Sequence, residues 1–157
     1  MEPWNQSTLR IESDSHQPEH NGGNPSMIAL VVDDDELYRL LLRDLMVGQG
    51  WDVLLARNGE EALQKLKAFA VDLVISDIYM PVIDGLKLHH LVRAMESGAT
   101  IPFLFVSGYS DEHTSQAVKD PRYDRFFRKG SDIRDLLRLV KALHDPRHTS
   151  SLGFAVS

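Results

Sequence analysis

The sequence predicts an α/β fold: a doubly wound sheet of five parallel strands with helices on both faces. Three observations carry this. Five short apolar runs with a β-branched bias alternate with five segments of helical spacing, which favours right-handed parallel crossovers. The central run, Leu73-Val74-Ile75, is apolar without alternation, as suits a strand buried on both faces. The first and third runs lead into aspartates, at the strand ends where open α/β sheets bind ligands.

The elements follow in chain order. Residues 1–26, rich in Asn, Gln, Ser, His, Glu, Gly and Pro, carry too little apolar surface to offset the entropy of ordering, and a disordered leader is expected there. The first strand spans Ile28 to Val32. Asp35 is placed to cap a helix from Glu36 to about Val47, with Leu37, Leu40, Leu41 and Leu45 at helical spacing and Gly48-Gln49-Gly50 as its stop. Trp51 to Ala56 reads as the second strand. Asn58 followed by Glu61 resembles a capping box, and Ala62, Leu63, Leu66 and Phe69 form the stripe of the next helix.

After the central strand, a third helix is expected from about Asp84 to Ser97, and a fourth strand from Ile101 to Val106. The segment Ser110 to Lys119 is polar, with Ala117 and Val118 almost its only apolar residues, so a short helix is expected. Tyr123 to Arg128 gives the fifth strand. Ile133, Leu136, Leu137, Val140 and Leu143 mark the last helix, Asp132 to His144, within a domain spanning 27–144, and residues 145–157 read as a flexible tail.

Composition bounds the function. At 157 residues the chain holds one domain with a proper core. The absence of cysteine excludes disulfides and thiolate chemistry. The net charge of -6 argues against a general nucleic-acid binder, and no run reaches the length of a membrane span or signal peptide, so a cytoplasmic protein is expected. Charge is uneven: residues 1–84 carry 6 Lys+Arg against 15 Asp+Glu, residues 85–157 carry 11 against 8.

The acidic excess falls where the strand ends converge. Asp33, Asp34 and Asp77 supply hard oxygen ligands of the kind Mg²⁺ takes alongside waters and phosphate oxygens. For Asp33-Asp34-Asp35 in isolation, a helix cap with surface charge is the simpler account. Ser107 and Lys129 end the fourth and fifth strands and add a hydroxyl and an ammonium. Together the five make a set suited to accepting a phosphoryl group: a carboxylate nucleophile, a divalent cation, and two groups to hold phosphate oxygens.

Val31-Val32-Asp33-Asp34-Asp35, the run from Asp77 through Met80-Pro81 to Asp84-Gly85, Val106-Ser107-Gly108, and Lys129 together resemble the receiver domain of bacterial two-component response regulators, in its stand-alone, chemotaxis-regulator-like form. The resemblance covers about residues 27–144. It implies a flavodoxin-like (βα)5 fold and a signalling module instead of an enzyme. It further implies that Asp77 accepts a phosphoryl group from a sensor histidine kinase or histidine phosphotransfer protein, with Mg²⁺ held by Asp33, Asp34, Asp77 and the backbone carbonyl of Tyr79. By the same resemblance Ser107 and Lys129 bind the phosphoryl group, and Ser107 and Phe126 form the switch. Tyr79, Gly108 and Tyr109 flank the pocket, and Tyr79 and Tyr109 occupy the positions that tune hydrolysis of the acyl phosphate. The output implied is contact with a downstream protein, onward phosphotransfer or a phosphorylation-dependent homodimer. One departure is Gly130, where the family usually carries a cis proline; the polar segment after Ser107 is another.

Other classes fit less well. A phosphatase of the haloacid-dehalogenase type needs a second aspartate where Tyr79 stands. A dinucleotide-binding domain needs a glycine-rich loop after its first strand, where this chain has three carboxylates. A receiver-like interaction module that works without phosphorylation is the remaining alternative. His89-His90, adjacent on a helix, point to different faces, and a solvated surface is expected there. Arg122, Arg125, Arg128, Arg134, Arg138 and Lys141 read equally as a partner patch or a solvated face.

Overall fold

Five strands of five residues each form one parallel sheet in the computed structural model, which describes residues 26–109 and 112–144: β1 (Ile28–Val32), β2 (Asp52–Ala56), β3 (Leu73–Asp77), β4 (Phe103–Ser107) and β5 (Asp124–Arg128). Their order across the sheet is β2-β1-β3-β4-β5, the flavodoxin-like doubly wound arrangement. The chain reverses its winding direction between β1 and β3, so the residues that follow those two strands flank the switch-point crevice.

Parity along the strands builds two cores. Leu30, Val32, Val74, Phe103 and Phe105 face one side with Ala62 and Leu66 of α2 (Gly59–Ala68) and Leu88 and Val92 of α3 (Gly85–Ala94). Ala29, Val31, Leu73, Ile75 and Val106 face the other with Leu42 and Met46 of α1 (Glu36–Gly48) and Leu136, Val140 and Leu143 of α5 (Ile133–Leu143). Each fully buried Leu, Ile or Phe contributes roughly 1.5–3 kcal/mol by leaving water. The helices therefore divide between the two faces, as the alternation required.

The caps act as the sequence indicated. Asp35 accepts from the backbone of Leu37 and Asn58 from Glu61, while Asp84, expected within the third helix, caps it by accepting from Lys87. Glu61 reaches back past Asn58 to the N–H of Arg57.

Several expectations need correction. On α1 Leu40 and Leu45 pack, partly buried, against the core as expected, but the buried residues are Leu42 and Met46, while Leu37 is 81% exposed and Leu41 is exposed as well. The third helix stops at Ala94, and a 3-10 turn at Glu96–Gly98 takes the remaining residues. β4 begins at Phe103, after Pro102, whose carbonyl accepts from Val74, and it extends to Ser107. β2 and β5 each start one residue late, at Asp52 and Asp124. The short helix expected in the polar segment is the single turn α4 (Glu112–Ser115). The leader expected over 1–26, except Ser26, and the tail expected over 145–157 lie outside the described residues.

At Gly130 the chain turns from β5 toward α5 with φ of +92°, a conformation the pyrrolidine ring of proline cannot take. Glycine there is thus a different solution to the same connection.

Candidate functional site

The aspartate triplet after β1 divides into three tasks. Asp33 is completely buried; its Oδ1 accepts from the backbone N–H of Asp35 at 2.9 Å, and its backbone carbonyl accepts from the guanidinium of Arg39 at 2.7 Å. Asp34 is exposed, and Asp35 caps α1. Backbone bonding fixes Asp33 so that its carboxylate turns inward.

Asp77 is the last residue of β3, 7% exposed, with Oδ1 accepting from Ile78 N–H at 2.8 Å. The tight path beyond it depends on Gly85, where a Cβ atom would lie 2.1 Å from the backbone oxygen of Asp77 and 2.8 Å from Cα of Ile78. No side chain fits there. Between these two residues, Val82 takes φ of 71° while largely exposed, a strained conformation for a β-branched residue at the edge of the site.

Lys129 closes the site from β5. Its ammonium stands 2.8 Å from Oδ2 of Asp33 and 3.4 Å from Oδ2 of Asp77, and 4.4 Å from the ring centroid of Tyr38. Burial and the neighbouring Asp33 charge push the Asp77 carboxyl up to about 6, against the opposing pull of Lys129 and the Ile78 N–H. Burial likewise raises the Tyr38 hydroxyl. Sequence reasoning missed Tyr38; its place in the first turn of α1, just after the capping aspartate, was the available signal.

Asp33, Asp34 and Asp77 each offer a carboxylate oxygen within 4.8 Å of the others. All-oxygen donors at this spacing, one of them exposed, suit a hard divalent cation that keeps part of its water shell. The raised Asp77 carboxyl fits the same conclusion, because two carboxylates held together out of water need positive charge.

Ser107 is buried at the end of β4, where its Oγ accepts from Tyr109 N–H at 3.1 Å and its carbonyl accepts from Lys129 N–H at 2.8 Å. Phe126 pairs in register with Phe105 and packs, partly buried, on the α2 and α3 side of the sheet. Ser107 lies two residues beyond Phe105, so it shares that face. Tyr79 and Tyr109 meet edge to face over the strand ends, with ring centroids 5.1 Å apart. Gly108, between Ser107 and Tyr109, is exposed with open space around it.

Two surface readings change. His90 is exposed as expected, but His89 is 6% exposed and bonds Asp124, because it falls with Gly85, Leu88 and Val92 on the inner face of α3. That i, i+3, i+4, i+7 spacing was readable. Of the basic residues, Arg122, Arg134 and Arg138 pair with Asp120, Asp132 and Asp135, which neutralises much of the proposed patch. No helix among the described residues is long and apolar enough to cross a membrane.

Comparison with known proteins agrees with this geometry. Residues 29–141 match the family model described as the response regulator receiver domain. An uncharacterized 14.6 kDa protein of Leptolyngbya boryana is 36% identical over 115 residues, covering 73% of this chain and 88% of that one. A probable transcriptional regulator of Porphyra purpurea is 36% identical over 116 residues, and the chain spans only 54% of its length. The crystal structure of the Thermotoga maritima response regulator TrrA, in complex with Mg²⁺-BeF, superimposes with a TM-score of 0.64 at 32% identity, covering 74% of this chain and 98% of that one. On these grounds the chain belongs to the family of response regulator receiver domains of two-component systems.

Proposed function

We propose that the chain works as a single-domain response regulator that accepts a phosphoryl group on Asp77. The observation that carries this reading is the position of the Asp77 carboxylate, at the mouth of the switch-point crevice, facing both a second buried carboxylate and the Lys129 ammonium. The donor is a histidine kinase or histidine phosphotransfer protein. A bond forms between an Asp77 carboxylate oxygen and phosphorus as the phosphorus–nitrogen bond of the donor breaks. The donor imidazole keeps that electron pair and takes up a proton.

Asp33, Asp34 and Asp77, with the backbone carbonyl of Tyr79, hold Mg²⁺ in this proposal. When bound, Mg²⁺ supplies positive charge against the phosphoryl oxygens. Lys129 places a second cation beside them, and Ser107 gives them a hydroxyl donor once its side chain turns from the Tyr109 N–H. Phe126 shares a face with Ser107, and its ring follows the hydroxyl. The charge gained at Asp77 is thereby passed to the β4 and β5 ends as a changed contact surface for a downstream protein or for a second copy of the chain. The leader over 1–26 and the tail over 145–157 are proposed to lie outside the receiver domain.

The test is intact-mass analysis after incubation with acetyl phosphate, with and without Mg²⁺, beside Asp77→Asn. A Mg²⁺-dependent gain of one phosphoryl group, absent from Asp77→Asn, is expected. No adduct with acetyl phosphate or with a histidine phosphotransfer donor, while a control receiver is labelled, would leave an interaction module that works without phosphorylation.

A further inference from the structure

On the α3 side of the sheet, remote from the strand ends that carry Asp77, a cleft of about 640 Å³ opens between α3 and the segment leading into β5. Its size lies within the range of small-molecule sites. It exists because α4 ends after one turn and the chain from Gln116 to Tyr123 runs irregularly beside α3.

The floor of the cleft is a buried polar network. Asp124, fully buried, accepts at Oδ1 from the Arg93 guanidinium at 2.6 Å and from His89 Nε2 at 3.0 Å. Its Oδ2 accepts from the backbone N–H groups of Lys119 and Asp120. Because a carboxylate only accepts, the shared hydrogen sits on Nε2 of His89. The imidazole packs against both Phe103, edge to face, and Phe105, whose rings also touch each other, and its other nitrogen has no protein partner among the described residues.

The charges on the lining do not cancel. Asp124 is consumed by the network and Asp120 by Arg122, with which it pairs at 2.9 Å. Arg93, Lys119 and Arg122 therefore outnumber Asp120 and Asp124 by one, in a chain whose net charge is -6. The ammonium of exposed Lys119 has no ion-pair partner among the described residues, and exposed His90 lies across the cleft on α3. Leu86, Ala99 and Tyr123 supply apolar wall. A basic rim over an apolar wall and an imidazole floor selects a ligand with one negative charge and an apolar body.

We propose that this cleft binds small organic monocarboxylates, with the carboxylate at Lys119 and the apolar body against Leu86 and Tyr123. None of its lining residues belongs to the set around Asp77, so the site would give the chain a second input; β5 runs between the two, from Asp124 to Arg128, just before Lys129.

The test is a ¹H–¹⁵N NMR titration of the full chain with benzoate, phenylacetate and hexanoate, and with benzamide as the uncharged control. At least one carboxylate is expected to shift the amides of residues 86–93 and 116–124 saturably, with Kd of about 1 mM or tighter. Benzamide is expected to bind at least about fivefold more weakly, Lys119→Gln to weaken carboxylate binding about as much, and Asp77→Asn to leave it unchanged. Silence of all three carboxylates up to about 20 mM would overturn the proposal. So would equal binding of benzamide, or carboxylate binding that Lys119→Gln does not weaken.

Discussion

The Lys129 ammonium stands 2.8 Å from a carboxylate oxygen of Asp33, a side chain wholly removed from water, and this pair ties the end of β5 to the end of β1. Removing one partner of a buried pair leaves the other uncompensated, at a cost of roughly 3–5 kcal/mol. Lys129 is partly exposed, which places Lys129→Met at the low end, about 3 kcal/mol. Urea unfolding at neutral pH without divalent cations checks this. A loss below about 1 kcal/mol would mean that water, and not Lys129, balances the two aspartates.

Asp77 sets a pH dependence. Its carboxyl titrates near 6 in the folded chain, against 3.8 ordinarily, so between those values the folded state keeps a proton that the unfolded state has released. Stability of the metal-free protein from this group therefore falls as pH rises through that window. With Asp77 as a ligand in the proposed Mg²⁺ site, protons and Mg²⁺ would compete for its carboxylate, so the rise in Tm given by about 10 mM MgCl₂ is expected to be small near pH 5 and large near pH 7.5. Asp77→Asn should flatten that contrast. Equal Mg²⁺ shifts at both pH values would count against Asp77 as a ligand.

At the opposite end of the sheet Asp124 has the reverse sign. Burial pushes its carboxyl up, but the bonds from His89, the Asp120 N–H and Arg93 outweigh burial and hold it at about 2. The unfolded chain takes up this proton first, so the stability Asp124 contributes is present above about pH 4 and is lost as pH falls toward 2. Asp124→Asn should cost about 3 kcal/mol at pH 7 and lose less on acidification than the parent, as read by acid unfolding followed by circular dichroism.

Tyr79 and Tyr109 form one aromatic unit over the pocket, so each ring holds the other in place. Both should restrict the approach of water to the phosphorylated aspartate. Replacing Tyr79 by Asn or Tyr109 by Ala is expected to speed loss of the phosphoryl group by roughly 3-fold to 10-fold. Mass spectrometry over time after removal of the donor measures the decay. Unchanged lifetimes in both variants would remove the rings from any shielding role.

Gly85 tests the geometry instead of the chemistry. Because a Cβ there would meet the backbone of Asp77 and Ile78, Gly85→Ala must displace the end of β3. A stability loss of about 3 kcal/mol or more is expected, with Mg²⁺ affinity falling alongside it. Retained Mg²⁺ affinity in a folded variant would show that the loop shifts without carrying Asp77.

Much of this protein was written in local pattern. Strand and helix alternation gave the sheet and its two covered faces, because apolar periodicity reports burial directly. The caps at Asp35 and Asn58 depend only on neighbours one turn away, and they formed as the residues indicated. The five residues of the candidate site were legible for the same reason: each lies at or just past a strand end, and parallel strands deliver their ends to one edge.

Tertiary structure decided what depends on distant partners. Spacing on α3 turns His89 inward, but only the fold supplies its partners: Asp124, 35 residues away, accepts its hydrogen bond, and the rings of Phe103 and Phe105 pack beside it. Leu37 and Leu41 are left in water because packing against the sheet, and not leucine spacing, fixed the rotation of α1. Lys129 settles between Asp33 and Asp77 rather than in solvent because the sheet order brings β1, β3 and β5 to a common edge. Sequence thus determined which elements form and where their ends lie. Only the folded chain decided which side chains share a charge across those ends, since that energy falls steeply with a separation that local pattern does not encode.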